Sequence, residues 1–227
     1  MTIKNEGVNM IYEFCAENLT DLQKAFEAGA RRVELCDNLA VGGTTPSYGI
    51  IKEACIWARK NDVDIQTMIR PRGGDFVYNP IEVESMIADI AIAIDRGSNG
   101  VVLGCLTDEG WLDEAALAYL SDQVDHFRSL GDECELVFHM AFDCIPRERQ
   151  FEAIDWLAEN GFSRILTRAG KNGDSLEERL AWYKELIKHA AGRLTILPGG
   201  GINLDNRQRF IDELGVNELH GSKVVFS

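Results

Sequence analysis

Long apolar runs are missing from this sequence. No stretch approaches the roughly 18 residues that a membrane-spanning helix needs, which excludes a helical membrane protein. Basic charge is also scarce, with 23 Lys and Arg against 37 Asp and Glu, for a net charge of −14. Such a surface repels phosphate backbones, so nucleic acid is not expected as a partner, although a few arginines in a cleft can still hold a small anion. CxxC spacing is absent from the six cysteines, so free thiols are expected and neither a zinc knuckle nor a disulfide framework is. Residues 1–10 lack the apolar core of a signal peptide, which points to a cytoplasmic protein. With five prolines and no Pro- or Ser-rich linker, nothing divides the chain, and residues 1–227 read as one domain.

What is present is a regular alternation. Short Val-, Ile-, Leu- or Phe-rich runs predict strands at 11–14, 32–35, 65–69, 100–104, 135–138, 164–167, 194–197 and 218–220. Amphipathic patterns predict helices at 20–28, 47–60, 81–96, 113–130, 147–159, 175–191 and 206–214. Thr20 and Ser175 suit N-caps, and Gly29, Gly97, Gly161, Gly192 and Gly215 follow helix ends. Eight strands with seven intervening helices predict an α/β fold, a (β/α)8 barrel of TIM type, rather than an open doubly wound sheet. Little chain follows His220, so the eighth helix is expected to be missing or stunted. The wall exposed there would be open to cover by a partner subunit.

Strand parity then places side chains, because neighbours on a strand face opposite sides. Tyr12, Phe14, Val33, Leu35, Ile65, Thr67, Ile69, Leu136 and Phe138 suit the helix-packed side. That leaves Glu13, Cys15, Glu34, Cys36, Arg70, His139, Thr167 and His220 inside, near the C-terminal strand ends where barrels keep their active sites. Convergence of so many polar groups is costly to bury without a purpose. Glu13 and Glu34 are candidates for a general base, and His139, with Asp143 four residues later, for an acid or electrophile. Arg70, Arg72 and Asp75 follow strand three in a turn suited to an anion, and Gly199, Gly200 and Gly201 follow strand seven, where barrel phosphate sites are commonly built.

Blander readings stand beside these. Glu13 and Glu34 could pair with Arg32 and Arg70 as a structural ion network. His139 alone is more often a satisfied core histidine. Cys15 and Cys36, taken singly, are small buried hydrophobes, yet equivalent positions on adjacent strands allow a soft two-thiolate metal site suited to Cu(I).

The motifs YEFC at 12–15, RVELC at 32–36, GGTTPSYG at 42–49, IRPRGGDFVY at 69–78, FHMAFD at 138–143, ILT at 165–167 and LPGGGI at 197–202 resemble the CutC family. The resemblance runs from residue 10 to about residue 222. It implies a cytoplasmic barrel, a homodimer, and a role in copper homeostasis with Cu(I) held by Cys15 and Cys36. Met140 and Arg168 depart from it, standing where the family pattern usually has Arg and Ser. The residues themselves also admit an enzyme acting on a small anionic or phosphorylated metabolite, with Glu and His as acid–base groups and arginines as the anion clamp.

Overall fold

A computed structural model describes residues 10–227 with the exception of Asn172. Eight parallel strands alternate with seven helices: β1 (Ile11–Glu17), α1 (Leu22–Glu27), β2 (Arg32–Cys36), α2 (Tyr48–Asn61), β3 (Asp64–Met68), α3 (Pro80–Arg96), β4 (Gly100–Leu103), α4 (Glu114–Ser129), β5 (Glu135–Phe138), α5 (Gln150–Glu159), β6 (Arg164–Thr167), α6 (Leu176–Ala190), β7 (Thr195–Pro198), α7 (Arg207–Leu214) and β8 (Glu218–Gly221). The strands pair in the order β7-β6-β5-β4-β3-β2-β1-β8, and β8 abuts β7 to bring the sheet round into a (β/α)8 barrel.

Local chemistry explains why the helices start where they do. Asn79 and Glu82 form a reciprocal capping box with Pro80 in the first turn of α3, and Ser175 and Glu178 form another on α6. Ser47 accepts the Ile50 N–H at the head of α2. Thr20 does not cap α1, which starts later with Asp21 in the left-handed region at its N-cap position. The stretch expected as a helix from 147 opens as a 3-10 turn at Arg147–Arg149 and becomes α5 only at Gln150.

The apolar core lies between strands and helices, where Phe14, Val33, Leu35, Ile65, Ile69, Leu136 and Phe138 pack as their parity requires. No eighth helix follows β8. The barrel wall is nevertheless not bare there, because the last residues cover it. Val224 and Val225 are buried, Phe226 packs on Phe14 with ring centroids 5.2 Å apart, and Arg207 Nη1 donates to the Val224 carbonyl at 2.7 Å. A partner subunit is therefore not needed to shield that wall.

Inside the barrel, the N-terminal end is filled by ions rather than hydrocarbon. Arg32 pairs with Glu13, and its Nη2 donates to Glu218 at 2.6 Å. Arg164 donates to the same Glu218 oxygen at 2.8 Å and grips Glu135 at 2.8 and 3.0 Å, while Gln66 donates to Glu135 at 2.7 Å. Gly100 makes room for this layer, since a β-carbon there would overlap Gln66 and crowd Glu135. Met68, Val102 and Val137 form a small apolar plug with Cys36 inside the barrel.

Removing one partner of a buried charge network leaves the others uncompensated. Arg32→Met should therefore lower unfolding stability by about 3–5 kcal/mol. Urea unfolding checks this: a midpoint matching the parent would show that the layer contributes no stability.

Candidate functional site

At the C-terminal end of the barrel the inward row continues upward from the ion layer. Glu13 links the two. One oxygen meets Arg32, and the other lies 2.7 Å from Nδ1 of His220 on the neighbouring strand β8. Burial opposes the Glu13 charge, but the Arg32 guanidinium and His220 override it and hold the carboxyl well below its usual range. With Nδ1 tied to Glu13, the other ring nitrogen of His220 faces Glu34, whose Oε2 lies 3.7 Å away.

Two thiols share that carboxylate oxygen. Cys15 Sγ lies 3.4 Å and Cys36 Sγ 3.5 Å from Glu34 Oε2. Parallel pairing sets Cys15 level with Glu34 and brings Cys36 opposite Glu17, so the cysteines of β1 and β2 sit around one acidic group. A hydrogen bond from the Cys36 thiol, with help from His220, favours the thiolate of Cys15 against the opposing effect of burial. The same hydrogen bond, together with burial, pushes the Cys36 thiol up. Burial raises the Glu34 carboxyl, and the charges of Cys15 and Glu13 add to that shift. Burial works against protonation of His220, yet the acidic groups of Glu34, Cys15 and Glu13 raise it.

A Cys15 Sγ, a Glu34 oxygen and a His220 ring nitrogen all lie within 4.8 Å of one another, with Cys36 adjoining through Glu34. This donor set fits a soft monovalent or borderline metal: sulfur supplies the softness, and the Glu13–His220 bond is the carboxylate–histidine arrangement that orients a metal-binding imidazole.

Beside these groups opens a cavity of about 180 Å³, lined in part by Cys15, Glu34, Arg70, Phe76, His139 and His220. His139 sits immediately after β5, with its ring over Gly104; a β-carbon at 104 would come within 2.6 Å of that ring. Its Nδ1 accepts the Ala141 N–H at 3.2 Å, which places the ring proton on Nε2. Burial, and then the nearby Arg70 charge, lower the His139 pKa to about 3, so the imidazole is neutral. Arg70 donates through Nη1 to the Val41 and Gly43 carbonyls and through Nη2 to Gly74, and its guanidinium carbon lies 4.8 Å from the Phe76 ring centroid. Three buried atoms of these lining residues have no partner: Glu34 Oε1, Arg70 Nε and His139 Nε2.

Other candidates from the sequence lie elsewhere. Arg72 and Asp75 bind each other at 2.9 Å, Arg72 also takes Glu82 at 2.6 Å and the Val77 carbonyl at 2.6 Å, and neither lines the cavity. They brace the loop before α3. Gly199, Gly200 and Gly201 do not line it either; the Gly199 and Gly200 carbonyls accept from Arg179, and Gly199 N–H donates to the Thr167 carbonyl at 2.8 Å. Thr167 is not inside the barrel. On β6 the inward positions are Arg164 and Leu166, so Thr167 lies on the helix side, with Ile165, and donates to Asp143 at 2.5 Å. Asp143 also accepts the Arg168 N–H at 3.0 Å and lines a separate groove outside the barrel; its carboxyl, raised to about 6 by burial, clamps the β5 and β6 loops together.

The CutC family model matches residues 10–225. The chain belongs to the CutC family. A CutC family protein of Enterococcus faecalis is 51% identical over 95% of this chain and 100% of its own length. The mouse copper homeostasis protein cutC homolog is 37% identical over 95% of this chain and 74% of its own length. Among solved structures, the crystal structure of CutC from Streptococcus agalactiae superposes with a TM-score of 0.88 at 44% identity, covering 95% of this chain and 99% of that one. Deoxyribose phosphate aldolase from Aeropyrum pernix superposes at 0.67 with 15% identity, over 95% of this chain and 86% of that one, a likeness of fold alone.

In this CutC barrel the neutral His139 has a consequence for acid stability. Its folded pKa, about 3, lies below the ordinary 6.5, so between those values the unfolded chain binds the extra proton. The contribution of His139 is full above pH 6.5 and is lost as pH falls, by about 1.4 kcal/mol per unit for this one group. Ring-carbon NMR should show His139 still neutral at about pH 5, and His139→Phe should flatten this part of the stability profile. A His139 resonance titrating near 6.5 would contradict its burial beside Arg70.

Proposed function

We propose that this protein holds a cuprous ion at the C-terminal mouth of its barrel, as part of the copper homeostasis for which its mouse and human relatives are named. The observation that carries this reading is the convergence of Cys15, Glu34 and His220 within 4.8 Å, with the Cys36 thiol on the same carboxylate. Cu(I) prefers thiolate and imidazole donors, and Cys15, Cys36 and His220 supply them from three adjoining strands. Glu34 takes up or gives back the protons that thiols and imidazole exchange with the metal, since metal binding requires them to be released. Glu13 serves as the anchor that holds the His220 ring in place.

The setting supports the reading. The donors sit at the open end of the barrel, where an ion can enter and leave, and the described cysteines are all free thiols, as a reducing cytoplasm requires. No helix among the described residues is long and apolar enough to cross a membrane.

Anaerobic competition titration of the reduced protein with a Cu(I) chelator tests the site. One tightly bound equivalent is expected, lost in Cys15→Ser/Cys36→Ser and weakened in His220→Ala, with affinity falling as pH is lowered. Tight binding that survives the double cysteine change would show that copper resides elsewhere.

A further inference from the structure

Outside the barrel, the loops after β5 and β6 enclose a groove of about 520 Å³, within the size range of small-molecule sites. It shares no lining residue with the copper donors or with the cavity at the barrel mouth. Arg147 lines it and is held in place without a carboxylate. Its guanidinium carbon lies 3.9 Å from the centroid of the Trp182 ring, and it makes no hydrogen bond or ion pair among the described residues. Trp182 is itself fixed twice: Phe151 stacks on it with ring centroids 5.3 Å apart, and its Nε1 donates to Gln150 Oε1 at 2.7 Å. Gln150 is buried and donates through Nε2 to the Phe142 and Ile145 carbonyls, so this chain of contacts ends in the core. A fixed arginine without an anion is a preorganised receptor, because its planar fork loses little freedom when a carboxylate arrives.

The other charged residues of the groove divide into engaged and free. Asp143 accepts from the Thr167 hydroxyl and the Arg168 N–H, and Asp174 accepts the Lys171 N–H at 2.6 Å. The Lys171 ammonium and the Glu148 carboxylate line the groove and, like Arg147, have no polar partner among the described residues. Two free cations and one free carboxylate therefore border one space, in a chain whose net charge is −14.

We propose that this groove binds a small zwitterion with two carboxylates and one ammonium group, an acidic amino acid or a dipeptide ending in one. Arg147 takes one carboxylate through its fork, Lys171 the other, and Glu148 the ammonium. Ile145, Pro146 and Trp182 give the carbon chain its apolar contact. A volume of about 520 Å³ is the share of about seventeen waters, room for roughly 10–14 non-hydrogen atoms with water beside them. A phosphate fits less well, because barrel phosphate sites present backbone N–H groups. Here the first turn of α6 is closed by its own Ser175–Glu178 capping box, and Asp174 occupies the Lys171 N–H.

Calorimetry and saturation-transfer NMR test this with L-glutamate and glycyl-L-glutamate, beside glutarate, which lacks the ammonium, and L-norvaline, which lacks the second carboxylate. Saturable binding of at least one of the two zwitterions is expected, tighter than that of either control. Arg147→Gln should weaken it about tenfold, the lower end of the loss for a hydrogen bond between charged groups. Glu148→Gln should erase the preference over glutarate. Both side chains are exposed, so neither change endangers the fold. Arg149→Gln, whose side chain pairs with Glu152 and does not line the groove, should bind as the parent does. Cu(I) uptake should be the same in Arg147→Gln as in the parent, which keeps this test apart from that of the copper site. Absence of binding by both zwitterions at millimolar concentration, equal binding of glutarate, an affinity unchanged by Arg147→Gln, or an equal loss in Arg149→Gln would each overturn the proposal.

Discussion

Glu13 is shared between two systems that would otherwise be unrelated. One oxygen completes the buried ion layer through Arg32, and the other fixes His220 at the barrel mouth. The layer below, with Glu218 bridging Arg32 and Arg164 and Glu135 closing it, is held by charges that cannot relax singly. Its rigidity is transmitted upward by a bond within one side chain's reach. The His220 ring is therefore set before any ligand arrives, with one nitrogen committed and the other turned to Glu34, Cys15 and the cavity.

From that constraint the mouth divides into two neighbouring environments. On the β8–β1–β2 side, sulfur, imidazole and carboxylate crowd within a few ångströms and hold protons in common, the chemistry of a soft metal site. On the β3–β5 side, Arg70 and His139 are buried beside a cavity that Leu39, Met68, Phe76, Met140 and Leu166 also line. Glu34 lines the same cavity and keeps one oxygen, Oε2, against both thiols. The barrel scaffold accommodates both, because its strand ends bring chemically distinct residues to one face without altering the layers beneath.

Much of this was legible in the sequence because strand parity is a two-state rule. Alternation with Phe14, Val33, Leu35 and Phe138 places Glu13, Cys15, Glu34, Cys36, His139 and His220 in the interior, and those apolar residues do pack on the helix side. The rule failed at Thr167, where the inward residue is Leu166; an apolar residue inside and a polar one outside invert the usual signal, and only the Arg164 partner two residues earlier could have corrected it. The sequence offers the Glu13–Arg32 pair as one option, but not the partnership of Arg164, Glu135 and Glu218, since their ladder joins strands distant in sequence. Arg72 and Asp75 looked like an anion clamp because their motif is rich in charge and glycine, yet the folded loop pairs them with each other. What no pattern could give is that Arg70 donates to the Val41, Gly43 and Gly74 carbonyls, which only the folded loops bring around it.

In the proposed copper site, Glu13 presents His220 to a cuprous ion held by Cys15 and Cys36. X-ray absorption at the copper edge of the Cu(I)-loaded protein addresses it most directly. Two sulfur scatterers and one imidazole nitrogen are expected, with the imidazole contribution lost when Glu13→Ala frees the ring. A copper environment without sulfur, or one whose imidazole is unchanged by Glu13→Ala, would contradict it.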